Sequence, residues 1–174
     1  MRILKLLFPL LFFASIAFAQ DPTGSLSIIG GSSVNFHVNS LTKYDEGVTL
    51  EGWSRLRLRF DDPASLTLGW RLNLKAETLS IISDSGTDNL PLTSLEIRAI
   101  DVTVLDGAYN GTAVPSTVIL DGNYVELLSD SEKNNIDLII TISYDLGTNG
   151  TNKLMGSAPG YYYVDLRYQL IQIN

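Results

Sequence analysis

The chain has 174 residues with twelve basic and nineteen acidic side chains, a net charge of −7, a single histidine and no cysteine. Such acidity argues against nucleic acid and anionic membrane surfaces as partners, because phosphate groups need a basic footprint. The missing thiols exclude disulfide staples, cysteine nucleophiles, cysteine-ligated metal and a lipidated N-terminal cysteine.

The first nineteen residues read as a secretion leader. Arg2 and Lys5 supply a basic start, an apolar run follows, and Ala17-Phe18-Ala19 has the small-x-small form of a cleavage site. The apolar stretch of about 13 residues is short against the ~20 that a spanning helix needs. Cleavage leaves one domain, residues 20–174, and the loss of Arg2 and Lys5 takes its net charge from −7 to −9. An exported protein is expected, periplasmic, at the cell surface or extracellular. No transmembrane helix is expected, nor an anchoring tail after Gln169-Leu-Ile-Gln-Ile-Asn174.

Period-two alternation, the mark of half-buried strands, then runs through the chain. Ser33–Val38 turns Val34, Phe36 and Val38 inward, leaving His37 outward beside Asn35 and Asn39. Leu56, Leu58 and Phe60 alternate with Arg55, Arg57 and Arg59. Beyond the turn-like Asp61-Asp62-Pro63-Ala64-Ser65, Leu66, Leu68, Trp70, Leu72, Leu74 and Ala76 alternate with Thr67, Gly69, Arg71, Asn73 and Lys75. The two runs read as one hairpin. Leu95, Ile97 and Ala99 share a parity that switches to Ile100, Val102 and Val104, which predicts a β-bulge. Ile136, Leu138, Ile140, Ile142, Tyr144 and Leu146 form another inward face. A closing strand over Tyr161–Ile173 turns Tyr162, Val164, Leu166, Tyr168 and Leu170 inward. No segment has helical spacing. Turn clusters at 83–89, 106–111, 129–135 and 147–152 complete the pattern of an all-β antiparallel sandwich of immunoglobulin-like or Greek-key type. A small outer-membrane barrel would alternate in the same way. Pro91 and Pro115 between uneven strands, and aromatics not gathered into two girdles, favour the sandwich.

Catalytic signatures are absent. His37 has no nucleophile elbow to serve. Asp61-Asp62 sits in a turn, while Glu51, Glu77, Glu96 and Glu126 fall near strand ends or on outward positions, so paired-carboxylate chemistry has no marked site. No cofactor is expected. Calcium is the one ion with candidate ligands, the loop oxygens of Asp84–Asn89 and Asp130–Glu132, although neither stretch has the helix-loop-helix spacing and turn formation explains both. Asn110-Gly-Thr112 and Asn149-Gly-Thr151 fit the glycosylation acceptor and, equally, Asn-Gly turns.

The candidate interaction surface is a basic stripe. If the hairpin forms, Arg55, Arg57, Arg59, Arg71 and Lys75 share one face. Such a stripe could meet an acidic glycan or an acidic patch of a second copy, or merely keep an edge from aggregating. Tyr161 and Tyr163 should face outward and could stack on a sugar or anchor a protein.

Three stretches resemble the β-sandwich subunits of bacterial surface appendages and WxL-type cell-surface domains. They are Gly69-Trp70-Arg-Leu-Asn-Leu-Lys-Ala76, Leu90-Pro91-Leu92-Thr-Ser-Leu95 and Gly160-Tyr161-Tyr-Tyr-Val-Asp-Leu-Arg-Tyr168-Gln-Leu170. The chain departs from that pattern in having no disulfide pair and no Trp-x-Leu near its end. The resemblance implies a structural or adhesive surface role. Such a protein is expected to assemble with itself or with other surface proteins, by strand addition at a sheet edge, because extended edges pair with extended segments. Residues 20–31 and 161–174 are the segments that could exchange. The alternative is a monomeric module that binds a carbohydrate or small ligand.

Overall fold

Alternating apolar residues need two layers to bury them, and the computed structural model, which describes residues 20–150 and 154–174, supplies them as antiparallel sheets. The proposed leader and cleavage site lie outside the described residues. In chain order the elements are β1 (Thr23–Gly30), β2 (Asn35–Val38), the one-turn helix α1 (Leu41–Glu46), β3 (Val48–Asp61), β4 (Gly69–Ala76) and β5 (Ile82–Ser83). After a 3-10 turn at Leu92–Ser94 come β6 (Leu95–Asp106), β7 (Ser116–Ile119), β8 (Val125–Asp130), β9 (Ile136–Leu146), β10 (Gly160–Tyr163) and β11 (Leu166–Ile173).

One layer is a five-stranded sheet in the order β1-β3-β9-β6-β7. The other is two three-stranded sheets, β2-β10-β5 and β11-β4-β8. They lie end to end, because β10 and β11 follow each other along the chain and pair with β5 and β4 in turn. Between the layers Leu56, Leu58, Ile97, Leu138 and Ile140 are fully buried, as are Phe36, Trp70, Leu72, Leu74 and Tyr162. The all-β sandwich expected from the sequence is the fold observed.

Several finer expectations hold. All six predicted inward residues of β9 are buried. The register of β6 against β9 slips between Ala99 and Asp101, at the predicted parity switch. Beyond it Val102 is only half-buried and Val104 is 43% exposed, because β7 ends its pairing at Ala99 and leaves that stretch at an edge.

The hairpin does not form. Strand β3 pairs with β1 and β9, and β4 pairs with β11 and β8, so the two runs belong to opposite layers. Residues 62–68 are an arch between the sheets, organised by the fully buried Asp62. Its carboxylate accepts from the Leu66 N–H at 3.0 Å and from the Thr67 N–H and hydroxyl, both at 2.8 Å. That inverts the expected alternation: Thr67 is buried, whereas Leu66 and Leu68 are 55% and 65% exposed. The arch is also tied to the chain after β8, with the Asp62 N–H donating to the Lys133 carbonyl and Lys133 Nζ to the Thr67 carbonyl.

Burial alone would raise the Asp62 pKa, but the Thr67 and Leu66 N–H groups, the Thr67 hydroxyl and the charge of Lys133 together hold it below the ordinary value. The Arg57 guanidinium does the same for Asp137, and the Lys133 and Asn134 N–H groups for Glu132. A carboxyl that ionises more readily folded than unfolded contributes stability that is complete above its unfolded pKa, about 4, and lost as pH falls through the depressed folded value. The melting temperature should therefore hold from pH 7 to about 5 and fall steeply below pH 4. Asp62→Asn should flatten that fall; a melting temperature unchanged at pH 3 would contradict the assignment.

Two further differences stand out. The closing strand is two strands, broken at Val164-Asp165 where the layer changes sheet, although its inward parity runs on through both. The helix α1 was not expected. Ser40 caps it through a hydrogen bond from Lys43 N–H, and Gly47 stops it at φ +85°.

Candidate functional site

Because β3 and β4 lie in opposite layers, the five-residue basic stripe is two separate groups on opposite outer faces. Most of its charge is paired. Arg57 holds Asp137 with two hydrogen bonds, at 2.9 and 2.6 Å, and Arg59 reaches the same carboxylate at 3.1 Å. On the other face Arg71 meets Glu126 at 2.6 Å, while Lys75 lies 3.3 Å from Glu77 and over the Tyr124 ring. The group on β3 is thus cross-strand pairing with β9 rather than a continuous anion-binding face.

Tyr161 and Tyr163 face outward, 52% and 39% exposed, with Tyr162 buried between them. Tyr161 stacks on the ring of His37 across the β2–β10 pairing, with centroids 4.3 Å apart. Among the described residues no three His, Asp or Glu side chains come together to hold a metal ion. Asp130, offered by the sequence as a calcium ligand, instead accepts from the Asn110 and Glu132 N–H groups. No described helix is long and apolar enough to cross a membrane.

The two long sides of the sandwich differ. One is stitched shut where β7 passes to β8: the Ser116 hydroxyl donates to the Leu127 carbonyl, and the Ser129 N–H to the Thr112 hydroxyl. On the other, the edge strands β1 and β11 face each other without a hydrogen bond between them among the described residues. A groove of 430 Å³ runs between them, lined by Leu26, Phe60, Tyr168 and Leu170.

Edge strands normally carry charge, proline or a bulge against unwanted pairing. The four-residue β7 follows Pro115, and β8 carries Glu126 and Asp130. Strand β1, Thr-Gly-Ser-Leu-Ser-Ile-Ile-Gly, has no charge or proline, and its register slips only at its far end, between Ile28 and Gly30; β11 has only Arg167. Nor is β1 deeply anchored. Leu26 is its one side chain packed on the core, and Ile28 and Ile29 are about half exposed, at 49% and 48%.

The root of β1 is held firmly. Gly31 takes φ +62°, and a Cβ there would lie 2.0 Å from the Trp53 carbonyl oxygen, so only glycine fits. Trp53 Nε1 donates to the Ser33 carbonyl at 2.7 Å, and the Ser54 hydroxyl to the Gly31 carbonyl. Here the chain crosses from the five-stranded sheet to β2, and beneath the crossing lies a cavity of 190 Å³.

The cavity contains an ordered run of hydroxyls. A carbonyl can only accept, so the Ser54 proton must go to Gly31; Ser54 Oγ then accepts from Tyr144 at 2.8 Å, and Tyr144 from Tyr168 at 2.9 Å. Burial pushes the pKa of both phenols above the ordinary tyrosine value, so the run stays protonated at neutral pH.

No protein-family model and no curated protein matches this chain. The site is therefore described by its chemistry alone: an open seam with a single charge, Arg167, and at the root of β1 a small polar cavity. Of the segments expected to exchange, β1 and β11 flank the seam, whereas β10 is central in its sheet. Sequence reasoning missed Ser54, Tyr144 and Tyr168 as a group. They lie on three strands, and only the inward parity of the two tyrosines was legible.

Proposed function

We propose that this chain is an exported structural or adhesion-type protein of the cell surface that works by assembly rather than catalysis, as its resemblance to surface-appendage and WxL-type subunits implies. Copies join by strand addition along the open seam. The observation that carries this reading is the pair of facing edge strands with one charge between them, on a protein whose opposite edges are guarded. An unguarded edge offers a row of unmet N–H and C=O groups, and an extended segment of a second copy satisfies them.

The test is light scattering coupled to size-exclusion chromatography on residues 20–174 over a hundredfold range of concentration. Concentration-dependent oligomers are expected, and deletion of residues 20–31 should change their size distribution. A monomer at every concentration would refute self-assembly.

A further inference from the structure

We infer that the cavity beneath the Gly31–Ser33 crossing is a binding site for a single neutral pyranose ring. This inference does not rest on the assembly reading, since every lining residue comes from one copy. The volume of 190 Å³ is above the ~150 Å³ of an enclosed cavity that takes benzene, and because this cavity opens to solvent a single pyranose can seat its ring there with hydroxyls reaching outward.

The lining matches the two chemistries of a sugar. Leu166 and the half-exposed Ile28 give an apolar wall, and the outward-facing Tyr163 stands at the rim, where an aromatic ring can meet the C–H face of a sugar. Asn35 and Asp165, both solvent-exposed, also line the cavity at its rim. Asn35 can donate and accept, and Asp165 accepts from hydroxyls. At the floor the Tyr168 proton is committed to Tyr144, which leaves the Tyr168 oxygen as an acceptor.

Other ligand classes fit less well. An anion would meet Asp165 and the acidic surface of the whole protein. A purely apolar group would cover Asn35 and Asp165 without satisfying them. A pyranose presents several hydroxyl donors around an apolar face, which is what this combination of groups can use.

The experiment is a nuclear magnetic resonance titration of the isotope-labelled full chain with glucose, galactose, mannose, N-acetylglucosamine and glucuronate. At least one neutral sugar should shift the amides of residues 31–35 and 163–166 saturably, with millimolar affinity. Asp165→Asn and Asn35→Ala should each weaken that sugar at least tenfold with the rest of the spectrum unchanged, which shows the variants folded. Tyr161→Ala, on the outer face, should leave affinity as it is, and glucuronate should not bind. Absence of saturable shifts with every neutral sugar would overturn the inference, as would an Asp165→Asn variant that binds like the unaltered chain.

Discussion

Replacing Trp70 by alanine should cost about 3–5 kcal/mol of stability, a large part of the ~5–15 kcal/mol of a typical domain. Trp70 is fully buried at the start of β4, with its ring centroid 6.2 Å from that of Tyr109. It stands where the arch from β3 enters the second layer, on a strand held by hydrogen bonds to β11 on one side and β8 on the other, so the void left by its removal cannot readily close. Trp70→Phe tests the reasoning more sharply. The indole N–H is buried without a partner among the described residues, an orphan donor that costs roughly 1–3 kcal/mol. Phenylalanine removes that donor while keeping most of the volume, so its loss should be well under half that of alanine. Urea denaturation of the three proteins checks this through the midpoints at constant slope. Equal losses for the two variants would mean that the indole nitrogen makes an interaction in solution.

The sequence carried the faces of the strands far better than their partners. Alternation is a local property of the pleat, which is why every inward residue of β9, and even the slip at Ala99–Asp101, could be read directly. Partners depend on how the chain turns between strands. Asp61 to Ser65 has the composition of a hairpin turn, yet Asp62 uses its carboxylate to wrap residues 62–67 into an arch that sends the chain across the core. With that single difference the five-residue basic stripe becomes two groups on opposite faces. The break at Val164-Asp165 was hidden for a related reason, since parity continues through it while the sheet does not. Helix α1 had a legible signal in Ser40 and Gly47, the cap residues at its two ends. The cavity had none: its lining joins Gly31, Ser54, Tyr144 and Tyr168, which approach one another only when both layers are in place.

Assembly along the seam should be abolished by the double substitution Ser25→Glu/Ser27→Glu. In β1 these serines pair with Arg59 and Arg57 of β3, so glutamates there face cations within their own chain. They would strengthen the hold of β1 on β3, and the melting temperature should stay or rise slightly. At the free edge the effect is opposite. Two copies brought edge to edge would set several carboxylates side by side, and such like-charge contact costs several kcal/mol. Since about 1.4 kcal/mol is a factor of ten, the dissociation constant should weaken at least a hundredfold. The combination of an undiminished monomer fold with lost oligomers separates edge pairing from general destabilisation, which the deletion of residues 20–31 cannot do. Lysines at the same two positions would sit opposite Arg59 and Arg57, loosen β1 from its own sheet and bring the same like-charge cost to the free edge. The two charge variants should thus lose oligomers alike while moving the melting temperature of the monomer in opposite directions. Light scattering that found both unchanged would move the contact surface away from β1.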